Sequence, residues 1–273
     1  MMTVIVVEMP SINNIYLGDC IDVMTGLPDS SVDLIVTSPP YAEKRKNTYG
    51  GIPENDWANK IFEISQRCMS VLKPEGSFIL NVKEGAKDGM RQLYVLEYLL
   101  KMAKAYRWTE TFIWNKTNPF PTGNKKRLKD AFEYCFQFNK TKNYKFYPDA
   151  CLVKSTSKYL KSEKKRKKCD AFNVTNGSGM NMSKRCGTNE FVRASNVLTF
   201  PNSCLNIAHS AAFPLDLPTF FIKLMTVEGD VVLDPFAGSG TTLLAAKNIN
   251  RNYIGIEMNE EHYKLIVNRL EIK

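Results

Sequence analysis

The segment Thr37-Ser38-Pro39-Pro40-Tyr41 brings together side chains that could take part in chemistry. It follows an apolar run, residues 32–37, that is typical of a buried strand. Two consecutive prolines fix φ at two positions and bias the residue before them toward an extended conformation. The segment would therefore hold the hydroxyl of Ser38, the proline carbonyls and the ring of Tyr41 in a stiff array. A rigid turn without chemistry is the alternative interpretation of these residues alone.

A second unusual segment, DPFAGSGTT at residues 234–242, contains two glycines in a short turn between a strand pattern and a helix pattern. Gly238 and Gly240 would let the backbone turn tightly and bring its N–H groups close to a ligand. The helix N-terminus behind them favours an anionic group such as a carboxylate or a phosphate. On its own this turn is weak evidence, because most glycine-rich turns only change the direction of the chain.

Two carboxylates flank the glycine turn at the ends of predicted strands. Asp234 ends the strand before the turn, and Glu257 closes the next strand, residues 252–256. Their separation of about 20 residues is the one at which a doubly wound unit presents an acid to a ribose hydroxyl. The pattern predicts a nucleoside-binding site, with a purely structural turn as the alternative. A nicotinamide site is disfavoured because Leu243 stands where G-x-G-x-x-G would place its third glycine.

Together the two segments would suit group transfer to an exocyclic amine of a nucleobase. Such an amine is a poor nucleophile because its lone pair is delocalised into the ring. Hydrogen bonds from the amine to Ser38 Oγ and the Pro39 carbonyl would draw the nitrogen toward tetrahedral geometry, with its lone pair aimed at an electrophilic methyl group. Tyr41 could stack on a base extruded from the duplex. No strong general base is required, since the proton can leave to solvent afterwards.

Both segments resemble motifs of a known family, the amino-group DNA methyltransferases. Residues 234–240 are similar to the family's S-adenosylmethionine loop, and residues 37–41 to its catalytic tetrapeptide. The catalytic motif comes first and the cofactor loop last, with an insertion between them, as in the circularly permuted β group. Further similar segments lie at residues 16–19 (YLGD), 72–76 (LKPEG), 114–121 (WNKTNPFP) and 209–214 (HSAAFP), so the resemblance covers nearly the whole chain.

The resemblance implies an enzyme that methylates an exocyclic amine in double-stranded DNA at a specific site, as part of a restriction-modification system. In this family a Ser at the first position of the tetrapeptide goes mainly with cytosine N4, and an Asp mainly with adenine N6. Ser38 therefore favours cytosine N4, with adenine N6 as the first alternative. An RNA or protein-glutamine methyltransferase and a non-catalytic DNA-binding protein are further alternatives. The chain has no Pro-Cys dipeptide, so the thiol attack of cytosine C5 enzymes lacks its usual nucleophile.

The resemblance also implies roles for particular residues. Asp19 and Phe213 would line the adenine and methionine ends of the cofactor, and Glu257 would bind its ribose. The expected catalytic residues are Ser38, Pro39, Pro40 and Tyr41, and the expected cofactor-binding residues are Asp19, Phe213, Asp234, Pro235, Phe236, Gly238, Gly240, Thr241 and Glu257.

The elements that must position these residues form an alternating pattern, which indicates an α/β fold. We expect the Rossmann-like fold of S-adenosylmethionine-dependent methyltransferases, a mixed, mostly parallel sheet with helices on both faces. The resemblance implies seven strands, one of them antiparallel. The two motif strands should be neighbours, with Ser38 and Gly238 facing each other across the switch point. Residues 1–143 would form the catalytic half, 144–196 a basic target-recognition insertion, and 197–273 the cofactor-binding half.

The positive charge of the chain is concentrated in one segment. Fourteen basic and four acidic residues lie between Lys140 and Arg193, so this segment accounts for the whole net charge of +9. Such a concentration suits a polyanion, and nucleic acid rather than a membrane, because no amphipathic apolar face accompanies it; the resemblance implies that this nucleic acid is double-stranded DNA. A solvated charge run is the alternative interpretation of residues 161–168. The residues expected to contact DNA are Lys116, Lys164, Lys165, Arg166, Lys167, Lys168, Lys184, Arg185 and Arg193.

The composition is ordinary for a globular protein, with 44% hydrophobic and 24% charged residues. No apolar run approaches the ~20 residues of a membrane span, and the N-terminal apolar run lacks the basic leader of a signal peptide. We therefore expect a cytoplasmic protein. The seven cysteines form no C-x-x-C pair, which favours free thiols and no metal site. The sequence leaves open a homodimer and a cognate restriction endonuclease.

Overall fold

A computed structural model of the chain describes residues 10–43, 51–119, 121, 126–155, 190–202 and 213–271. The chain divides into two compact units, one formed by residues 1–147 with 195–273 and the other by residues 148–194. None of the helices within the described ranges is long and apolar enough to cross a membrane.

The larger unit is built on one eight-stranded sheet. Among these strands only β7 runs against the others, which confirms the mixed, mostly parallel sheet. The expected count of seven strands is wrong for this sheet, because Val197 to Phe200 add an eighth strand parallel to its neighbour at one edge. The strands in spatial order are β1 (Asn14–Leu17), β12 (Asn252–Glu257), β11 (Val231–Asp234), β2 (Val32–Thr37), β3 (Leu72–Val82), β7 (Phe132–Asn139), β6 (Arg107–Lys116) and β10 (Val197–Phe200).

Two groups of helices cover the two faces of this sheet. The first group is α1 (Cys20–Thr25), α2 (Glu54–Val71) and α3 (Tyr94–Ala105), and the second is α4 (Asp216–Met225), α5 (Thr241–Asn248) and α6 (Glu260–Leu270). In α2 the residues Ile61, Ile64, Cys68 and Val71 recur at helical spacing and are all buried. Burial of such a stripe against the sheet is what stabilises a helix of this kind.

A buried carboxylate ties the amino ends of three central strands together. Asp33 on β2 accepts hydrogen bonds from Lys73 at 2.9 Å, from Lys145 at 2.8 Å and from the Val231 amide at 2.9 Å. Burial alone would raise the pKa of the Asp33 carboxyl, but these bonds outweigh it and lower the pKa below its usual value. The network fixes β2 beside β11 at the edge of the sheet opposite to their carboxyl ends.

One helix begins later than the sequence pattern predicts. We expect a helix over residues 91–105, whereas α3 begins at Tyr94 and the preceding residues form a small hairpin of β4 (Ala86–Lys87) and β5 (Met90–Arg91). Asp88 (φ 51°) and Gly89 (φ 82°) make its turn in the left-handed region, as a two-residue hairpin loop requires. The amide of Gly85 donates to the Tyr94 hydroxyl at 2.9 Å, which joins the hairpin base to the first residue of the helix.

The described part of the smaller unit consists of residues 148–155 and 190–194. A short 3-10 turn, Pro148–Cys151, leads into β8 (Leu152–Lys154), which pairs antiparallel with β9 (Phe191–Arg193). Arg193, which is expected to contact DNA, is exposed and lies 3.2 Å from the Asp149 carboxylate. The other expected DNA contacts of this segment lie outside the described residues, namely Lys164, Lys165, Arg166, Lys167, Lys168, Lys184 and Arg185.

Candidate active site

The two strands that carry the sequence motifs are neighbours in the sheet. β2 and β11 pair in parallel, with Leu34 opposite Val232, so both end at the same edge. At that edge Thr37 Oγ1 donates a buried hydrogen bond of 2.6 Å to Asp234 Oδ1. The expected pairing of the two motif strands is confirmed. The segment that starts at Ser38 therefore lies directly beside the turn that starts at Asp234.

Two glycines of the 234–242 turn have left-handed backbone conformations, for different reasons. Gly240 (φ +74°) precedes the first residue of α5, and a Cβ atom built there would lie 2.8 Å from Ile266 Cγ2. Gly238 (φ +57°) faces open space, since a Cβ atom there would meet only the Phe236 carbonyl oxygen, at 3.7 Å. Gly240 therefore allows close packing against α6, whereas Gly238 leaves room for a ligand beside the turn.

Glu257 at the end of β12 holds the same turn from the other side. Its Oε2 accepts a hydrogen bond of 2.7 Å from the Gly238 amide, and its Oε1 accepts one of 2.8 Å from the Asn259 amide. The Glu257 carbonyl accepts from the Gly18 amide at 3.0 Å. Asp19 follows and caps α1 by accepting from the Ile21 amide at 2.8 Å. The Glu257 side chain thus links the end of β12 to the glycine turn, and the Glu257 carbonyl links it to the end of β1.

Asp234 is a buried carboxyl, and its partners within the described ranges are hydroxyl and amide groups. Burial raises the pKa of Asp234 to about 6. Hydrogen bonds from Thr37, Thr242 and the Phe236 amide lower this pKa in part, and the nearby charge of Glu257 raises it. A cationic ligand group at this edge would favour the ionised form of Asp234.

The segment after β2 is fixed by bonds from distant residues. Trp57 Nε1 donates to the Pro40 carbonyl at 2.7 Å, so the carbonyl of the second proline is occupied. Tyr41 Oη donates to Glu133 Oε2 at 2.8 Å. Burial, followed by the charge of Glu133, raises the pKa of Tyr41 well above its ordinary value. The phenol is therefore neutral at physiological pH. Ser38, at the start of the segment, is half-buried.

Comparison with known proteins identifies this arrangement. A family model described as DNA methylase, of the N6/N4 type, matches residues 32–268. The chain belongs to this family. This membership confirms the amino-group DNA methyltransferase that the motifs led us to expect, and with it the S-adenosylmethionine cofactor.

Two curated relatives of the methylase are Type II methyltransferases. M.PvuII of Proteus hauseri is 30% identical over 275 residues, which cover 91% of this chain and 81% of the relative. M.BglII of Bacillus subtilis is 31% identical over 267 residues, which cover 92% of this chain and 67% of the relative. Both alignments therefore extend over most of this chain, including its two motifs.

Solved structures confirm the fold of the methylase. The PvuII DNA methyltransferase (cytosine-N4-specific) matches with a TM-score of 0.73 and 26% identity, covering 96% of this chain and 87% of that chain. The M1.HpyAVI–SAM complex matches with a TM-score of 0.60 and 23% identity, covering 95% of this chain and 99% of that chain. The Rossmann-like methyltransferase architecture expected from the sequence is therefore confirmed.

The structure brings most of the expected cofactor-binding residues of the methylase to one edge of the sheet. Asp19, Asp234 and Glu257 lie at or just after the ends of β1, β11 and β12, and Glu257 accepts a hydrogen bond from Gly238 in the glycine turn. This arrangement fits S-adenosylmethionine, because the Glu257 carboxylate lies beside the open space at Gly238 and an acid at the end of such a strand suits ribose hydroxyls. Of the remaining expected residues, Pro235, Thr241 and Phe213 are buried, Phe236 is half-buried and Gly240 packs against α6.

Two residues that contact the segment after β2 had not been expected from the sequence. They are Trp57 on α2 and Glu133 on β7, which contact Pro40 and Tyr41. Lys116, expected to contact DNA, is instead engaged inside the protein, since its Nζ lies 2.5 Å from Glu133 Oε1. Its side chain is only 13% exposed, so any contact with DNA would require a change of partner. Its role as a DNA contact stays a prediction.

Proposed function

We propose that the methylase transfers a methyl group from S-adenosylmethionine to the N4 amine of cytosine in double-stranded DNA, at a specific sequence and with the target base flipped out. The observation that carries this proposal is the Thr37–Asp234 hydrogen bond of 2.6 Å, since it sets the catalytic segment against the cofactor turn. Ser38 at the first position of the segment supports cytosine over adenine. So does the 30% identity to M.PvuII, whose solved structure is described as cytosine-N4-specific.

In this proposal the protein activates the amine by hydrogen bonding alone. Ser38 Oγ and the Pro39 carbonyl each accept one amine hydrogen, which draws the nitrogen lone pair out of conjugation. The Pro40 carbonyl already accepts a hydrogen bond from Trp57, which favours the carbonyl of Pro39 as the acceptor for the substrate. The aromatic ring of Tyr41 stacks on the flipped base. The amine proton leaves to solvent after methyl transfer.

The cofactor supplies an electrophilic methyl group on a sulfonium centre. We propose that Glu257 binds its ribose, that Asp19 lies at its adenine end, and that Phe213 lies at its methionine end. Asp234, Pro235, Phe236, Gly238, Gly240 and Thr241 enclose the methionine part. The glycine turn and the catalytic segment leave the same edge of the sheet, which holds the methyl donor and the amine close together.

The basic segment, residues 144–196, is proposed to bind the DNA and to carry target recognition. Its lysines and arginines would neutralise phosphates, which raises affinity without reading sequence. We further propose a restriction-modification context, with a cognate endonuclease, because M.PvuII and M.BglII are Type II methyltransferases. The curated relatives also include an orphan methyltransferase, M.BamHII of Bacillus amyloliquefaciens, so the endonuclease must be sought directly. A homodimer and a cytoplasmic location, where DNA is accessible, complete the proposal.

Transfer of radiolabelled methyl groups to different polymers tests the proposed substrate class. The methylase is incubated with labelled S-adenosylmethionine and, in parallel, with double-stranded DNA, single-stranded DNA, structured RNA or a mixture of proteins. We expect label in double-stranded DNA far above the other samples. Label confined to RNA or protein would support the alternative methyltransferase classes. No label in any polymer, with the cofactor bound in calorimetry, would support the non-catalytic DNA-binding alternative.

A further inference from the structure

Three cationic side chains meet around one carboxylate outside the basic segment of residues 144–196. They are Lys83 after β3, Arg91 in β5 and Arg127 ahead of β7. Asp130 Oδ1 lies 2.7 Å from Arg91 Nη2 and 3.2 Å from Lys83 Nζ. Asp130 Oδ2 lies 3.1 Å from Arg127 Nη2. Because these residues come from two separate stretches of the chain, the fold and not the local sequence brings their charges together.

This cluster lies at the edge of the sheet that carries the catalytic segment. β3 pairs in parallel with β2, so Lys83, which follows β3, lies where β2 ends. β7 is the antiparallel strand, so the residues just before it, including Asp130, lie at the same edge. Lys83 Nζ donates to the Phe132 carbonyl at 2.8 Å, and the next residue, Glu133, accepts a hydrogen bond of 2.8 Å from Tyr41. The cluster therefore adjoins the proposed binding place of the target base.

The charges of the cluster leave an excess of positive charge. The two carboxylates that pair with its three cations are Asp130 and Glu84, and Glu84 lies 3.4 Å from Arg91 Nη1. The Arg91 and Arg127 side chains are 42% and 22% exposed, whereas that of Lys83 is 8% exposed. A ligand from solvent can therefore reach the two guanidinium groups, while the buried ammonium group adds its charge from behind.

The two arginines are held in a way that suits a phosphate group. A guanidinium carries five N–H donors in a planar fork that matches the oxygens of a phosphate. The bonds to Asp130 use only Nη2 of Arg91 and of Arg127, so other N–H groups of both side chains can donate to an anion. Because the carboxylate already orders both long side chains, an anion that binds them meets a smaller entropy cost.

We propose that Arg91 and Arg127, held by Asp130, bind a phosphodiester group of the DNA strand beside the flipped nucleotide. This inference rests on the proposed function, in which the target base reaches the catalytic segment and its own sugar-phosphate backbone must follow it to this edge. Phosphate contacts position a strand without reading its sequence. The two arginines thus contribute to the binding of any duplex, in addition to the basic segment.

The salt dependence of DNA binding tests this role. The probe is a fluorescein-labelled DNA duplex of mixed sequence, which is titrated with the protein at several salt concentrations and followed by fluorescence anisotropy. Each neutralised phosphate contributes about 0.9 to the slope of log affinity against log salt concentration. We expect Arg91→Gln with Arg127→Gln to lower the slope by about 0.9 and to bind about tenfold more weakly at about 0.1 M salt.

The matched control removes two positive charges at the opposite edge of the sheet. Lys104 and Arg107 are exposed and lie where α3 ends and β6 begins, at the amino end of that strand. Lys104→Gln with Arg107→Gln should keep the wild-type slope. An equal loss of slope in the two double variants would overturn the inference, because it would show an effect of net charge alone.

Lysine replacements separate the charge of the two arginines from their packing. Arg91→Lys with Arg127→Lys keeps both positive charges and should keep the wild-type slope, and urea unfolding establishes that each variant is folded. A loss of slope as large as that of the glutamine variant would overturn the inference, since the side chains would then act through the structure. A wild type that binds no duplex DNA and methylates none would refute the proposed function. Wild-type binding with an unchanged slope in the glutamine variant would overturn this inference alone.

Discussion

Thr37 and Asp234 lie 197 positions apart in the sequence and share a buried hydrogen bond of 2.6 Å. Each residue ends a parallel strand, and each begins a segment with a proposed role, catalysis after Thr37 and cofactor binding from Asp234. The bond therefore connects the two halves of the proposed site at the point where their strands end.

Removal of the Thr37 hydroxyl should destabilise the protein. Thr37→Val preserves the shape of the side chain but leaves the buried Asp234 carboxyl with one hydrogen-bond donor fewer. The free energy of unfolding should fall by about 1–3 kcal/mol. The measurement is urea unfolding at neutral pH. Thr199→Val, on the exposed face of β10, should change stability by less than about 0.5 kcal/mol. Equal stability of the two variants would mean that the bond has no energetic role.

Asp234 should make the cofactor-free protein less stable as the pH rises from about 4 to about 6. Burial raises its pKa from 3.8 to about 6 in the folded protein. The folded state therefore holds this proton more tightly than the unfolded state. The tighter binding of this proton contributes about 3 kcal/mol to the free energy of unfolding. This contribution is fully present below pH 4 and is lost as the pH rises through 6.

The comparison with Asp234→Asn isolates this effect, because asparagine does not titrate. The difference in unfolding free energy between wild type and variant is measured from pH 4 to pH 7. The wild type should lose stability relative to the variant as the pH rises. Asp33 has a lowered pKa, so its contribution has the opposite sign and is lost only as the pH falls below the usual carboxyl range. A difference that stays flat over this interval would show that Asp234 is ionised throughout.

The two glycines of the turn should respond differently to alanine. Gly240→Ala places a Cβ atom 2.8 Å from Ile266 in a left-handed conformation, so it should cost roughly 2–3 kcal/mol of stability. Gly238→Ala meets open space and should cost only about 1 kcal/mol from its backbone conformation. Its larger effect should be on S-adenosylmethionine affinity in calorimetry, since the new methyl group enters the space assigned to the cofactor. Unchanged cofactor affinity in Gly238→Ala would contradict that assignment.

Ser38→Ala should separate catalysis from cofactor binding. The proposed acceptor for the amine is removed, so kcat should fall roughly 10²-fold, while S-adenosylmethionine affinity should be unchanged. Single-turnover kinetics with the protein in excess over DNA give the rate of the chemical step. Ser70→Ala, whose hydroxyl bonds only the neighbouring helix turn at Gln66, is the control and should keep the wild-type rate. Full activity of Ser38→Ala would refute the proposed role.

Local patterns were sufficient to predict the central strands and the positions of the two motif segments at their ends. The runs before Thr37 and Asp234 are apolar and end in polar residues, and the parallel arrangement of such strands follows from the helices between them. The Asp88-Gly89 dipeptide is a hairpin signal, yet the helical pattern of residues 91–105 concealed it and the predicted helix began three residues too early. β10 was missed because a four-residue edge strand carries little periodicity and is defined by its pairing with β6.

The support around the catalytic segment could not be predicted from the sequence. Tyr41 meets Glu133 across 92 positions, and Pro40 meets Trp57 across 17. Neither partner lies in a recognisable motif. Their placement depends on the antiparallel direction of β7 and on the packing of α2. The bond of Lys116 to Glu133 could not be predicted for the same reason, and the role of Lys116 as a DNA contact stays a prediction.

The most direct measurement of the central claim is identification of the methylated nucleoside. DNA of mixed sequence is incubated with the wild-type methylase and S-adenosylmethionine carrying a deuterated methyl group, digested to nucleosides and analysed by mass spectrometry against N4-methyl-, C5-methyl- and N6-methyl-nucleoside standards. The account predicts deuterated N4-methyldeoxycytidine, absent from the sample with Ser38→Ala. Deuterated N6-methyldeoxyadenosine would contradict the choice of base, and label in C5-methyldeoxycytidine would contradict the amine mechanism itself.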